Sequence, residues 1–286
     1  MINVLVTGSY GQLGNEIKKL ADQYPDFNFY FTDIDTLNLT DENAVSGWFQ
    51  NNKPEVCLNC AAYTAVDKAE EERDLALLVN KTAVANLAKN CKCHNTLLIH
   101  VSTDYVFNGE NFKPYVETDE TAPISYYGFT KLEGEVAVRQ FAGRALIVRT
   151  SWLYSVHGNN FVKTMIRLGR ERDTLNVVFD QIGTPTFAGD LALVLLELAA
   201  KYKDLHVMDL FHYSNEGVIS WYDFAKAIME EAGLSCEVKA IESKDFPTKT
   251  KRPFYSVLNK EKIKNNLSME VPYWRDSLRK MMIELD

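Results

Sequence analysis

Ile2-Asn3-Val4-Leu5-Val6-Thr7-Gly8-Ser9-Tyr10-Gly11-Gln12-Leu13-Gly14 begins as a short apolar strand and passes without a break into a glycine-punctuated turn. A helical stretch follows, with Leu13, Ile17 and Leu20 on one face. In the order strand, turn, helix, each glycine has a physical use. Gly8 permits a tight turn, Gly11 lets backbone approach a pyrophosphate, and Gly14 lets the helix pack closely on the strand. The helix N-terminus then turns free N–H groups and a positive dipole end towards the phosphates. Phe27–Phe31 reads as a second strand ending in Thr32-Asp33. Asp33 falls about 20 residues after the glycines, where a carboxylate bonds the adenosine ribose diol of a dinucleotide.

The alternation continues outward from there. Asp41–Asn51 reads as a helix capped by Thr40 or Asp41, and Val56–Asn59 as a strand leading into the small residues Ala61 and Ala62. The acidic run Glu70-Glu71-Glu72 reads as a solvated first turn, opening a helix through Leu77, Val84 and Leu87. Leu97–Val101 and Leu146–Arg149 are further strands. Strands separated by helices predict an α/β fold, a doubly wound parallel (Rossmann) sheet covered on both faces. After about residue 150 the texture shifts to loops, shorter strands and isolated helices. Asp180–Thr186 reads as a polar turn, Leu191–Ala200 as a long apolar helix and Ser220–Ala232 as a serine-capped one. The expected division is a dinucleotide-binding part over 1–150 and a smaller α/β substrate-binding part over 151–286, some of whose segments return to the first.

Composition narrows the partners. The 286 residues are 46% hydrophobic and 24% charged, an ordinary globular balance, and the formal charge of −8 argues against nucleic acid or an anionic membrane surface. Apolar runs are too short to span a bilayer, and the N-terminus shows no signal-peptide pattern, so the expected location is cytoplasmic. The five cysteines, Cys57, Cys60, Cys91, Cys93 and Cys236, are an odd set expected to stay reduced. Neither they nor the scattered histidines have metal spacing, so no metal ligands are expected.

Chemistry concentrates between residues 102 and 131. On a helix, Tyr127 and Lys131 share a face, and a neighbouring ammonium is expected to lower the pKa of a phenol towards that of a working proton donor. Ser102 and Thr103, leaving the strand end, can orient a carbonyl in front of that phenol. This is a layout for protonating an alkoxide as a hydride arrives.

Gly8-x-x-Gly11-x-x-Gly14 with Tyr127-x-x-x-Lys131 resembles the extended short-chain dehydrogenase/reductases. Longer strings resemble one family within them, the dTDP-4-dehydrorhamnose reductases. They are Ala61–Glu70, Ser102–Phe107, Arg149–Trp152, Gly158–Phe161 and Arg252-Pro253, in order over nearly the whole chain. The resemblance implies reduction of the 4-keto group of dTDP-4-dehydro-β-L-rhamnose by NADPH or NADH, with Tyr127 as proton donor and Lys131 lowering its pKa. It also implies that Gly11, Gln12 and Leu13 hold the pyrophosphate, that Asp33, Asn38 and Leu39 line the adenosine end, and that Ala61, Ala62, Tyr63 and Val101 pack on the cofactor. Thr103, Asp104 and Trp152 would meet the dTDP-sugar, and Arg252, by its charge, the diphosphate. Some members of the family join as homodimers through Mg2+ held by glutamates. Glu16 matches one such position, but Gly189, beside Asp190, stands at a second. Two alternatives stand beside this reading. One is a non-catalytic NADP-binding regulatory subunit resembling methionine adenosyltransferase β; the other is a different sugar-nucleotide reductase or epimerase.

Overall fold

In the computed structural model, which describes residues 1–285, the first part of the chain lays down five parallel strands: β1 (Ile2–Thr7), β2 (Phe27–Thr32), β3 (Val56–Asn59), β4 (Leu97–Thr103) and β5 (Ala145–Thr150). The inner strands β3, β4 and β5 are almost wholly buried, as expected of parallel strands sandwiched between helices, while β2 at the sheet edge is mostly half-buried. The connecting helices are α1 (Gln12–Leu20), α2 (Glu42–Asn52), α3 (Arg73–Leu77), α4 (Ala83–Cys93) and α5 (Tyr126–Phe141). Asp41 caps α2, its carboxylate accepting from the Asn43 and Ala44 N–H groups. The helix expected through Leu77 and Leu87 is broken into α3 and α4 by a π-helical turn over Leu78–Thr82. That distortion turns Asn80 inward, where it is 1% exposed.

Beyond β5 come β6 (Leu153–Tyr154), α6 (Phe161–Glu171), β7 (Thr174–Val178), β8 (Ile182–Gly183), β9 (Thr186–Phe187), α7 (Ala188–Tyr202), β10 (Met208–His212), β11 (Ile219–Ser220), α8 (Trp221–Glu231), β12 (Glu237–Ile241), α9 (Glu261–Leu267) and α10 (Trp274–Leu285). The polar stretch 180–186, read as a turn, contributes β8 and the start of β9. Strand β10 pairs in parallel with β5, giving a six-stranded sheet in the order β10-β5-β4-β3-β1-β2. The chain reverses direction across the sheet between β1 and β3, the point at which doubly wound sheets open a ligand crevice.

One face of this sheet buries α1 and α7, and the other α2, α4 and α5. Helix α7, although late in the sequence, carries Leu191, Leu195 and Leu198 wholly buried against β1, β3 and β4 residues. A second core gathers α6, α8 and α10 around Phe224, with β7 and β12 paired beside it. No helix among the described residues is long and apolar enough to cross a membrane.

Truncating Leu195 to alanine should therefore destabilise the six-stranded sheet rather than only the second core. We expect a loss of about 2–5 kcal/mol in equilibrium denaturation. A change below about 0.5 kcal/mol, the scale of a surface substitution, would refute this packing role.

Candidate active site

The glycine turn is held in the shape its sequence predicts. Gly8 has φ +65°, and a Cβ there would stand 2.7 Å from the Ala61 backbone. At Gly14 an added Cβ would stand 2.5 Å from the Gly8 carbonyl oxygen, so α1 meets the turn without a side chain between them. The Asn15 amide bridges the Tyr10 and Gly11 carbonyls and ties the loop to the helix. Gly11 provides no side-chain cap for α1, which leaves the first-turn N–H groups open. Leu13 is buried beneath the turn, and Gln12 accepts a hydrogen bond from Asn160 at 2.9 Å.

Beside this turn lies a groove of about 420 Å3, lined among others by Gly8, Asp33, Asn38, Leu39, Ala61 and Tyr63. Asp33 accepts from the Tyr10 N–H at 2.9 Å, which places its carboxylate at the rim of the turn. Asn38 is exposed, its side chain accepting from Thr40, and Leu39 is half-buried, its carbonyl accepting from Asn86. Ala61 and Ala62 keep the β3 end low. Open helix donors, glycines at both ends of the turn and a carboxylate at the rim of a groove fit a dinucleotide.

Asn80, which sequence reasoning missed, fixes the adjoining loop. Its amide accepts from the Tyr63 N–H at 2.9 Å and donates to the Tyr63 carbonyl at 3.1 Å and to Thr130 on α5 at 3.0 Å. Only the π-turn brings it there, and no sequence spacing announces such a turn. The acidic run is also more than a solvated helix start. Glu70 accepts from the Tyr126 N–H at 2.8 Å and Glu72 from the Tyr63 hydroxyl at 2.7 Å, so both carboxylates tie loop to helix.

Thr103, Asp104, Tyr127 and Lys131 converge where β4 ends and α5 begins. Ser125 caps α5 by accepting from the Gly128 N–H. Gly128 allows the close approach, since a Cβ there would stand 2.2 Å from the Tyr105 carbonyl oxygen. The Thr103 hydroxyl donates to Asp104 at 2.9 Å, and the Lys131 ammonium donates to the Val101 carbonyl at 2.7 Å. Burial pushes Asp104 up to about 6, against the pull of the Ser256 and Thr103 hydroxyls. Burial also pulls Lys131 down to about 8, opposed by the negative charge of Glu135.

One expectation is overturned here. Tyr127 is not lowered by Lys131: burial pushes its phenol up to about 12, with only the Thr103 hydroxyl drawing it back. The ammonium points its proton at the Val101 carbonyl, and the phenol sits with only 8% of its surface exposed, so desolvation of the phenolate outweighs the charge one turn away.

Trp152 and Arg252 reach the site from the second half of the chain. Trp152 has φ +46°, an unusual conformation for a bulky residue, and its ring stacks on Trp221 at 3.6 Å. The backbone at Gly183 makes room for that indole, with the Ser256 hydroxyl alongside. Arg252 is held by Asp67 at 2.8 Å, and its charge bears on Tyr105, which packs edge-on against Tyr127.

At the candidate Mg2+ positions, the one matching carboxylate is buried and already bonded. Glu16 is 2% exposed and accepts from Ser155 at 2.6 Å. Asp190 is taken up by Asn215 and Ser277, and Gly189 abuts the Phe187 ring. No group of three metal-binding side chains occurs among the described residues.

The model of the RmlD substrate binding domain family matches residues 2–286. The chain is 40% identical over 98% of its length to a dTDP-4-dehydrorhamnose reductase of Aggregatibacter actinomycetemcomitans, covering 98% of that protein. Among solved structures, a dTDP-4-dehydrorhamnose reductase from Clostridium acetobutylicum superposes with a TM-score of 0.94 at 42% identity, covering 99% of both chains. The enzyme from Bacillus anthracis, in complex with NADP, superposes with a TM-score of 0.93 at 38% identity, covering 99% of this chain and 100% of that one.

The groove makes a direct prediction. Gly8→Ala combines a strained φ with a backbone clash, worth about 1–3 kcal/mol, so dinucleotide affinity should fall by about tenfold or more in a fluorescence titration. Unchanged affinity would show that the turn does not hold the cofactor.

Proposed function

The chain belongs to the RmlD substrate binding domain family, and we propose that it reduces the 4-keto group of dTDP-4-dehydro-β-L-rhamnose to dTDP-β-L-rhamnose with NADPH or NADH. The observation that carries this reading is the meeting of Thr103, Tyr127 and Lys131 at the carboxyl end of β4. That end adjoins the dinucleotide groove, in a chain similar over its whole length to reductases of that name.

When bound, the dihydronicotinamide supplies the hydride. Gly8, Gly11, Gln12, Leu13 and Gly14 cradle the pyrophosphate with backbone donors, and Asp33 bonds the adenosine ribose, with Asn38 and Leu39 beside it. Ala61, Ala62, Tyr63 and Val101 form the surface on which the cofactor lies. Residues 33–41 contain no lysine or arginine, and Asp33 and Asp35 add negative charge. That setting favours a ribose hydroxyl over a 2′-phosphate, while the Bacillus anthracis relative holds NADP; the proposal covers both cofactors.

Tyr127 donates its phenolic proton to the substrate oxygen as the carbonyl carbon is reduced. A phenol pushed up to about 12 stays protonated at neutral pH, which is the form an acid needs before transfer. The Lys131 ammonium then works on the phenolate left behind. Thr103 orients the substrate oxygen, and Asp104 and Trp152 hold the sugar. Arg252, released from Asp67, meets the diphosphate. We assign the substrate side mainly to residues 151–286, with α7 and β10 belonging to the first part.

Tyr127→Phe should lower kcat by about 10^2–10^4-fold while dinucleotide affinity is retained. Retained turnover would remove Tyr127 from the chemistry. In the wild type, turnover should fall as pH rises through about 8, where Lys131 loses its proton. A pH–rate profile flat to pH 10 would contradict that role for the ammonium.

A further inference from the structure

Lys131 is buried, yet it makes no ion pair among the described residues; its bond is to a backbone carbonyl. Three titratable neighbours are held neutral. Burial pushes the Cys60 thiol up, pushes the Tyr127 phenol up to about 12, and pushes the His100 imidazole well down, where the Lys131 charge disfavours a second cation. One helical turn beyond Lys131, on the same face of α5, lies Glu135, a carboxylate with no exposed surface.

Glu135 is gripped from three sides. Arg149 on β5 forks onto both of its oxygens at 2.8 Å each, Ser102 on β4 donates at 2.7 Å, and Arg139 adds a contact at 3.2 Å. Beyond the fork, Arg149 lies over the Phe107 ring and approaches His212, itself held neutral by burial, with a pKa near 3. Burial alone would raise Glu135, but the Arg149 fork, with Ser102 and Arg139, more than reverses this and keeps it ionised. Lys131 and Glu135 therefore hold consecutive residues of β4, Val101 and Ser102, and the next residue is Thr103.

We propose that Glu135 is a positioning residue for the reaction: clamped by Arg149 and Ser102, it fastens α5 to β4 so that Thr103 stands opposite Tyr127, and it supplies the negative charge that keeps the Lys131 ammonium protonated. This rests on the functional reading above for its effect on turnover, but the effect on Lys131 is a property of the free protein. A buried pair that only stabilised the fold would leave the titration of Lys131 unchanged.

The test is a pH titration of protein labelled with 13C at the lysine ε-carbon, the Lys131 resonance being assigned with Lys131→Met. Glu135→Gln keeps the side-chain shape and removes the charge. It should move the Lys131 titration down by about one pH unit or more, the scale of a lost neighbouring charge. The alkaline limb of the pH–rate profile should move the same way. Glu135→Gln leaves Arg149 buried without its partner and can fail to fold. The double variant Glu135→Gln/Arg149→Gln removes the whole pair, and its downward shift should be smaller than that of Glu135→Gln, because the Arg149 positive charge leaves with the negative one. Glu135→Asp keeps the charge on a shorter arm, so it should lower kcat and leave the titration in place. An unshifted Lys131 titration in either glutamine variant overturns the proposal. If the wild type fails to turn over the dTDP-4-keto sugar at every pH, the functional reading falls, and the titration still decides the role of Glu135.

Discussion

Helix α5 lies so close to the turn that follows β4 and to the π-turn over Leu78–Thr82 that only glycine fits at its two points of contact, and the candidate chemistry depends on that approach. An added Cβ at Gly128 would stand 2.2 Å from the Tyr105 carbonyl oxygen, and one at Gly134 would stand 2.3 Å from the Asn80 carbonyl oxygen. With the helix seated this near, Lys131 reaches the Val101 carbonyl and Glu135 reaches Ser102. Three polar residues at four-residue spacing are thereby buried along one seam. Burial is costly for each unless it is bonded. The seam meets that cost with a backbone carbonyl, a serine and an arginine fork.

The same burial sets the protonation states. Desolvation is the largest influence on Tyr127, Lys131 and Asp104, and each moves towards its neutral form. A phenol that keeps its proton thus lies one helical turn from a lysine whose ammonium is sensitive to mild alkali, and the proposed proton transfer rests on that arrangement. Neighbouring charge adjusts these states, but the absence of water establishes them.

Sequence patterns were legible wherever one local rule decided the structure. The run Ile2–Gly14 specified strand, turn and helix because glycine spacing and apolar periodicity act within a few residues, and both strands of the first β-α-β unit fall where they were read. Alternation of strands and helices sufficed for a parallel, doubly wound sheet. The break between α3 and α4 was not legible, because a π-turn is a response to packing and leaves no spacing in the sequence. For the same reason Asn80 passed unnoticed, and the acidic run was read as solvated when two of its carboxylates bond loop and helix backbone or phenol.

By itself, the sequence determined the strand–helix alternation of the first 150 residues, the glycine turn and the pairing of Tyr127 with Lys131 on one face, since all of these follow from patterns along the chain. Tertiary structure alone decided that β10 completes the sheet, that α7 covers it, and that Glu135, Arg149 and Ser102 meet beneath the site. It also reversed the expected shift of Tyr127, because helical spacing reports which residues are neighbours but not how much water surrounds them. Solvent exclusion arises only when distant segments close over a surface, and the pKa of a buried group follows from that closure.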